Sequence, residues 1–390
     1  GFNRRDFMKL MSASMALAGA GILGSGCRKP EQHIYPFAKL PDDYVHGVSK
    51  FYATAFPTRS GAIPLLVKSH EGRPTKVEAN PEHPDSVKGT DVFAQASILS
   101  LYDPDRAQLN GPRDAALTKL GEIATKFSAN QGASLAFLLE RGTSPSRNRL
   151  QQAIQQKFSA AKFYAYEAVD FDIHRQAANV AMGRSVTPYF KYDQAKAILS
   201  LDCDFLGGDG ESHLNSRDFA KSRRASKEGM NRLYVAEALM SQTGMNADHR
   251  LRVASSQVVA IAAAIAAKLV TGFDASKFPL PAGVDAKWVE ECANDLKAGG
   301  ATSLVVAGYR QPIAVHLLAH AINAALGSLG KTVEFRETAD LKEQGIAALA
   351  ESLNKGEVDT LVILGGNPVY NAPADLNWAA TQRKAKTVVR

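Results

Sequence analysis

The chain has 390 residues, of which 45% are apolar and 22% are charged, and its formal net charge is 46 − 39 = +7. This composition excludes a disordered chain, a collagen-like repeat and a polytopic membrane protein, and its mixed charge signs give no argument for nucleic-acid binding. The three cysteines lie far apart, at Cys27, Cys203 and Cys292. They argue against a disulfide framework, a zinc ribbon and a cysteine-ligated iron–sulfur cluster within this chain.

The first residues have the features of an export signal. A charged start is followed by an uncharged run that ends at Cys27, as in twin-arginine signals. We interpret residues 1–29 as such a signal and a candidate membrane anchor, and we predict a helix over residues 8–27. Cys27 follows small residues and is a candidate lipidation site. The targeting motif consists of Arg4, Arg5, Phe7 and Lys9.

A small β-rich domain is predicted next, over residues 30–110. Residues 30–60 are rich in proline and aromatic side chains without a clear period, which indicates an extended arm lying on another surface. Residues 62–79 read as two short strands around a glycine turn.

Strand and helix patterns alternate from Ala133 onward. This alternation predicts an α/β fold with two doubly wound, mainly parallel sheets, one in residues 111–250 and one in residues 251–390, joined near Ala247–Leu251. Because the chain starts at a glycine and stops inside an apparent strand, we expect the native protein to extend at both ends. The predicted strands are Ser134–Leu139, Lys162–Tyr166, Ala197–Leu201, Arg232–Ala236, Ser303–Ala307, Val333–Arg336, Thr360–Leu364 and Thr387–Arg390. The predicted helices include Asn148–Phe158, Ser256–Val270, Ile313–Leu326 and Leu341–Leu353.

Two segments carry a resemblance to a known family. Gly72–Pro84, with the run Asn80-Pro81-Glu82-His83-Pro84, and Leu99–Arg106 resemble the N-terminal domain of molybdopterin oxidoreductases. The resemblance is more specific to the molybdopterin-like iron–sulfur subunit of alternative complex III, a bacterial membrane quinol oxidoreductase. The segments that carry it are Lys68–Arg73, Ala94–Ser97, Met230–Val235, Ala247–Arg250 and Asn367–Pro373.

The chain departs from the catalytic members of that family where they bind cofactors. The three-cysteine motif that holds a [4Fe–4S] cluster is replaced by Phe51–Gly61, which contains no cysteine. No cysteine occupies the region of the usual molybdenum ligand either, where Ser144 is the candidate substitute. We therefore expect no catalytic residue, no cofactor and no metal in this chain.

Glycine turns follow two of the predicted parallel strands, where open α/β sheets bind ligands. Their backbone N–H groups could hold pterin phosphates, or the turns are vestiges now filled by side chains, and we favour the second interpretation. The residues of these turns are Gly207, Gly208, Gly210, Gly365, Gly366 and Asn367.

Three other groups have both a functional and a structural interpretation. His316 and His320 have zinc-site spacing, but we favour two histidines on a helix surface. Asp202 and Asp204 could act as a catalytic pair, and we favour turn capping. A basic cluster contains Phe219 as its lone aromatic residue, so we favour a solvated or subunit-contacting face over a nucleic-acid site. The cluster consists of Arg217, Lys221, Arg223, Arg224 and Lys227.

The leading functional hypothesis is a non-catalytic scaffold within the large electron-transfer subunit of a membrane quinol oxidoreductase. The resemblance implies iron–sulfur clusters in a following ferredoxin-like domain, a partner subunit with several c-type haems, and integral membrane subunits that bind quinol. It also implies a location on the periplasmic side of the bacterial inner membrane. The alternatives are an active periplasmic molybdopterin oxidoreductase and an independent lipoprotein binding module.

Overall fold

The computed structural model describes residues 3–24, 45–58, 61–84, 86, 89–106, 113–142, 144–225, 229–338 and 343–390. Two compact units are present, residues 1–48 and residues 49–390. The first unit contains helix α1 (Arg4–Gly24). The predicted N-terminal helix is therefore confirmed as far as Gly24, and Cys27 lies outside the described residues. Within the described part of the chain, no helix combines the length and apolar character that crossing a membrane requires.

The second unit contains the remaining helices and strands. Its strands are β1 (Lys50–Pro57), β2 (Ala62–His70), β3 (Arg73–Ala79), β4 (Leu135–Leu139), β5 (Lys162–Ala165), β6 (Val186–Phe190), β7 (Ala197–Leu201), β8 (Arg232–Glu237), β9 (His249–Arg252), β10 (Ser303–Ala307), β11 (Val333–Glu337), β12 (Thr360–Leu364) and β13 (Thr387–Val389). Its helices are α2 (Val92–Ala96), α3 (Leu99–Tyr102), α4 (Arg113–Ser128), α5 (Pro145–Lys157), α6 (Ile173–Met182), α7 (Ser212–Ser222), α8 (Gln242–Met245), α9 (Val258–Leu269), α10 (Ala286–Gly299), α11 (Ile313–Ala325), α12 (Ile346–Asn354), α13 (Pro368–Asn371) and α14 (Trp378–Thr381).

Strands β1, β2 and β3 form an antiparallel sheet in that order. The predicted hairpin of residues 62–79 is confirmed, and the described end of the predicted extended arm is strand β1. Alternate residues of β2 point to one face, where Ile63 and Leu65 pack with Val77 and with Ala94 of α2. This small cluster fixes α2 against the sheet.

Two parallel sheets form the rest of the core. The β4 sheet has the strand order β13-β12-β4-β5, and the β7 sheet has the order β10-β7-β8-β9. All five residues of β4, β7 and β10 are buried, as expected for parallel strands that are covered on both faces. Burial on both faces explains the mainly apolar runs from which these strands were predicted.

Helices cover both faces of each sheet. In the β4 sheet, Leu138 packs with residues of α12 and α14, whereas Phe137 faces Phe127 of α4 and Phe158, the residue after α5. In the β7 sheet, helices α9, α10 and α11 cover one face, and Phe219 of α7 packs on the other. The predicted fold class is confirmed: a small β-rich sheet is followed by two doubly wound, mainly parallel sheets.

Residue 250 is not a boundary between the two sheets, because each sheet contains strands from both sides of it. Strands β12 and β13 complete the sheet that begins with β4, and β10 joins β7. The predicted linker Ala247–Leu251 overlaps β9, an edge strand paired with β8. The strand predicted at Val333–Arg336 lies outside both parallel sheets, because β11 pairs antiparallel with β6. An alternating strand–helix pattern identifies elements but leaves their order open, since parallel neighbours are joined by long crossovers.

Candidate functional site

The turn after β7 lies at the carboxyl end of the β7 sheet, where open α/β sheets bind ligands. Asp204 fills this turn. Its Oδ2 accepts a hydrogen bond from the Gly208 N–H at 2.9 Å, and its Oδ1 accepts from the Thr243 N–H and hydroxyl, both at 2.9 Å. A Cβ atom on Gly207 would lie 2.3 Å from Asp204 Oδ2. A carboxylate of the chain therefore occupies the place that an anionic ligand of this turn would take.

A second carboxyl group, that of Asp209, makes the same turn more acidic. Asp209 is buried and its Oδ2 accepts a hydrogen bond from the Asp204 N–H at 2.7 Å. Burial raises the pKa of Asp209 to about 6, so the group is ionised at neutral pH. Burial, followed by the Asp209 charge, raises the pKa of the Cys203 thiol well above its usual value. Cys203 is therefore an inert core residue and not a nucleophile or a metal ligand.

The glycine turn after β12 is filled in a similar way. Gly365 and Gly366 have left-handed backbone angles, with φ of 86° and 69°. A Cβ atom on Gly365 would lie 2.6 Å from the carboxyl carbon of Glu140, the residue that follows β4. The same turn is held from the other side by Arg390, whose guanidinium donates to Asn367 Oδ1 and to the Gly366 carbonyl, both at 3.1 Å. The cleft that remains beside Glu140, Tyr166 and Asn367 has a volume of about 50 Å³.

These two turns do not fit a pterin cofactor. Pterin phosphates are anions, and both turns already contain a carboxylate from this chain. At the first turn, an incoming phosphate would have to displace Asp204 from three hydrogen bonds and would meet the charge of Asp209. A cleft of about 440 Å³ remains beside the first turn, lined by Asp204, Gly207 and Gly208 among others, so the two carboxylates and not a lack of space disfavour a phosphate there. Glycine turns filled by side chains remain the favoured interpretation.

Ser144, the candidate molybdenum ligand, has a structural role at the start of α5. Its side chain is the N-cap and accepts a hydrogen bond from the Arg147 N–H at 3.3 Å. Arg147 also donates from its guanidinium to the carbonyls of Glu140 and Gly142. The loop is therefore organised around a helix cap.

Asp202 follows β7 and lies next to the residue that follows β10. Its backbone is left-handed, with φ of 54°, and its Oδ2 accepts hydrogen bonds from the Ser255 hydroxyl at 2.6 Å and from Gln311 Nε2 at 2.8 Å. A Cβ atom on Gly308 would lie 1.9 Å from the Asp202 carbonyl oxygen. The two strand ends are thus in direct backbone contact. Asp204 caps its own turn through the Gly208 N–H, as interpreted from the sequence. Asp202 instead binds side chains of two other segments.

The prediction of surface positions for His316 and His320 is wrong. Both side chains on α11 are buried, at 3% and 8% exposure. They belong to a histidine cluster that also includes His174 of α6, whose ring centroid lies 4.9 Å from that of His316. His174 could not be predicted as part of this cluster, because 142 residues separate it from His316 and no pattern placed its helix next to α11.

The histidine cluster is electrically neutral at physiological pH. Burial lowers the pKa of His174 to about 3 and the pKa values of His316 and His320 to about 4. Neither Nε2 of His316 nor Nδ1 of His320 has a hydrogen-bond partner among the described residues. Among those same residues, no group of three histidine, cysteine, aspartate or glutamate side chains is arranged to hold a metal ion.

The basic cluster is largely neutralised by its own neighbours. Arg217 and Lys221 both bind Asp218, at 2.7 and 3.0 Å, and Arg223 makes two bonds to Asp248. Phe219 is buried at 5% exposure, so it offers no surface for a base to stack on. Lys227 lies outside the described residues. The preference for a solvated or protein-contacting face over a nucleic-acid site therefore agrees with the contacts.

The residues of the predicted targeting motif, Arg4, Arg5, Phe7 and Lys9, lie along α1. All four are exposed, and Phe7 has 55% of its surface accessible. Their role in targeting stays a prediction.

Comparison with known proteins gives one curated relative. The chain is 22% identical, over 95% of its length, to the menaquinone reductase molybdopterin-binding-like subunit of Nitratidesulfovibrio vulgaris. It spans about 60% of the length of that relative. No protein-family model matches the chain.

The solved structures that are similar to this chain include one at a low level of similarity. The formyltransferase/hydrolase complex from Methylorubrum extorquens, determined with methylofuran, aligns with a TM-score of 0.41 and 15% identity. The alignment covers 67% of this chain and 76% of that one. At that score the likeness supports neither a family nor a function.

Proposed function

We propose that the chain is a cofactor-free, molybdopterin-like scaffold within the large subunit of a membrane quinol oxidoreductase complex. The observation that carries the proposal is the occupation of both strand-end turns by the chain's own carboxylates, Asp204 after β7 and Glu140 beside the turn after β12. An ancestral ligand edge that is filled in this way retains the fold and loses the binding surface.

The curated relative supports the class of complex. Its printed name describes a molybdopterin-binding-like subunit of a menaquinone reductase, and the match extends over 95% of this chain. Our finer proposal is alternative complex III. In that assignment the protein reaches the periplasmic side of the inner membrane by the twin-arginine route.

In this proposal the chain acts as a rigid body that positions redox groups held elsewhere. Iron–sulfur clusters would lie in a ferredoxin-like domain that follows this chain, and c-type haems in a partner subunit. The membrane subunits would bind quinol. The two doubly wound sheets suit this role, because helices packed on both faces of each sheet hold the surface loops in fixed positions.

The competing function is an active molybdopterin oxidoreductase, and molybdenum dependence separates the two. We would grow the source bacterium without molybdate and with added tungstate, and measure quinol oxidation by its membranes. If the chain is a scaffold, we expect the rate of quinol oxidation per complex to be the same as in molybdate-grown cells. Loss of quinol oxidation under these conditions, with the complex still assembled, would establish the enzyme instead.

A matched pair of variants tests the same point within the chain. Asp204→Asn keeps the size and part of the hydrogen bonding of the turn, and we expect quinol oxidation by the assembled complex to be unchanged. Tyr370→Ala, at a side chain that is 88% exposed, is the control for substitution near the other turn. A rate that falls with Asp204→Asn while the complex remains intact would place the turn in the reaction and contradict the scaffold.

A further inference from the structure

The N-terminal sheet has two edges, and the chain protects them differently. Along β3, Gln95 Nε2 donates to the Val77 carbonyl at 2.7 Å and the Tyr102 hydroxyl donates to the Pro74 carbonyl at 2.5 Å. Side chains of the chain itself thus cap backbone groups of this edge. For β1, the described residues provide no equivalent cap. Natural proteins usually protect an edge strand, because its free N–H and C=O groups pair readily with another strand.

The direction of the free groups on β1 follows from the hairpin. The Thr58 N–H donates to the Gly61 carbonyl at 3.0 Å, so this pair is hydrogen-bonded, and such pairs alternate along an antiparallel ladder. In the observed register, Ala55 opposes Pro64, whose carbonyl accepts from the Asn80 N–H on the β3 side. Both observations place the N–H and C=O groups of Ala55 on the side away from β2.

The same alternation gives the direction of the backbone N–H and C=O groups in the rest of β1. Phe51, Ala53 and Ala55 present their backbone groups outward, whereas the intervening residues pair with β2. Pro57 fits the pattern, because its position needs no donor for the ladder. Strand β1 therefore has three outward N–H groups, at every second residue, to which no described residue bonds.

The usual protective residues of an edge strand are present only at the ends of β1, as Lys50 and Pro57. The six residues between them, from Phe51 to Phe56, contain no charge and no proline. Phe51 and Tyr52 are 49% and 56% exposed, although aromatic side chains of this size contribute most when buried. Strand β1 thus combines a free edge with accessible apolar surface, a combination that leads to aggregation unless another chain covers it.

The charge next to this edge indicates the kind of partner. On the face that carries Phe51, Lys68 lies directly opposite Lys76 in the β2–β3 register, and Lys68 Nζ lies 5.9 Å from the centre of the Phe51 ring. Lys76 is paired with Glu78 of the same strand at 3.3 Å, whereas no acidic side chain among the described residues pairs with Lys68. An acidic side chain on a docked strand would complement the charge of Lys68.

We propose that β1 is a docking edge to which an extended, acidic segment of a neighbouring subunit adds as a fourth strand. A polypeptide fits better than a lipid surface, because only another backbone satisfies the free N–H and C=O groups of Phe51, Ala53 and Ala55, and unpaired groups of this kind are costly in lipid. The inference rests on the proposed function in one respect, namely that the neighbour is a subunit of the same complex.

Hydrogen exchange at single residues tests the proposal, with the whole chain alone and in the intact complex extracted from membranes. In the isolated chain, we expect fast exchange at the amides of Phe51, Ala53 and Ala55 and slow exchange at those of Tyr52, Thr54 and Phe56. In the complex, the three fast amides become protected and the other three stay slow. This alternating change is specific to strand addition.

Other outcomes would overturn the proposal in distinguishable ways. An intact complex in which the three amides still exchange freely refutes the docking edge and leaves the proposed function standing. A chain recovered from membranes with no quinol-oxidising partner refutes both. Protection that rises with the concentration of the isolated chain identifies a second copy as the occupant. Binding to anionic vesicles without protection of these amides identifies a lipid surface.

A pair of variants at one position provides an independent readout. Ala53→Pro removes an outward N–H that the β1–β2 ladder does not use, and its ring obstructs a docked strand. Ala53→Ser retains the N–H and is the control. With both variants folded, as judged by thermal unfolding, we expect recovery of the complex to fall about tenfold or more for Ala53→Pro alone. Equal recovery of the two variants would contradict the docking edge.

Discussion

Acid sensitivity is the most quantitative consequence of the buried histidine cluster. His316 and His320 keep neutral rings in the folded chain down to a pH of about 4, whereas in the unfolded chain they take up protons near 6.5. Unfolding below pH 6.5 is therefore coupled to proton uptake. The free energy of unfolding should fall as the pH is lowered from 8 to 5.

The size of the effect follows from the difference in pKa. At pH 5, each of the two histidines lowers the free energy of unfolding by about 2 kcal/mol relative to pH 8. His174 adds a similar amount, because its pKa of about 3 also lies well below pH 5. Asp209 opposes the trend by about 1 kcal/mol, since its raised pKa of about 6 makes the folded chain bind a proton over the same range. The net loss is about 5 kcal/mol, a large part of the stability of an ordinary domain.

The test is the substitution His320→Leu. This variant should lose about 2 kcal/mol of the pH dependence between pH 8 and pH 5. At pH 8 it should be about as stable as the parent, because the Nδ1 atom that it removes has no hydrogen-bond partner among the described residues. The measurement is urea unfolding followed by circular dichroism at pH 8, 6.5 and 5.

Phe335→Leu is the control for His320→Leu. The Phe335 ring centroid lies 5.5 Å from that of His320, so this substitution alters the same packing without removing a titrating group. We expect its pH dependence to match that of the parent chain. If His320→Leu leaves the pH dependence unchanged as well, the assignment of the acid sensitivity to this cluster is wrong.

Two further predictions concern the strand ends. Asp204→Ala should lower the free energy of unfolding by about 3 kcal/mol, because it leaves the Gly208 N–H and its neighbours without their charged acceptor. Added phosphate should restore part of this loss. If phosphate does not change the stability of the variant, the turn is not suited to bind an anion. Gly308→Ala should cost about 3 kcal/mol, because its Cβ would overlap the Asp202 carbonyl. Gly121→Ala, at an exposed position of α4 with nothing within 4 Å, should instead raise the free energy of unfolding by about 0.5–1 kcal/mol. Equal effects at the two glycines would contradict the close approach of Gly308 to Asp202.

The strands were the part of the fold that sequence reasoning could predict. Ala197–Leu201, Ser303–Ala307 and Thr360–Leu364 have the same limits in the prediction and in the structure. A strand buried on both faces is apolar at most residues, so its limits are visible as a short, mainly apolar run. The buried polar residues in these strands are Ser200, Ser303 and Thr360. Strand order was not visible in this way, and β12 joins β4 across more than 200 residues.

The candidate site was predicted in outline and missed in detail. The glycine turns and the capping role of Asp204 could be inferred, because glycine and aspartate after a strand are typical of turns. The occupation of the second turn by Glu140 could not, since that residue follows a different strand. The histidine cluster was missed for the same reason: α6 and α11 meet only in the folded chain. Contacts between distant elements depend on strand order, which the local pattern leaves open.

The content of molybdenum, tungsten and pterin in the intact complex tests the central claim most directly. We would extract the complex from membranes under mild conditions, measure both metals by mass spectrometry, and assay released pterin by its fluorescence after oxidation, all relative to the amount of this chain. A scaffold whose turns are filled by Asp204 and Glu140 predicts neither metal nor pterin above the background of a preparation that lacks the chain. One atom of molybdenum or tungsten per chain, together with pterin, would contradict the account.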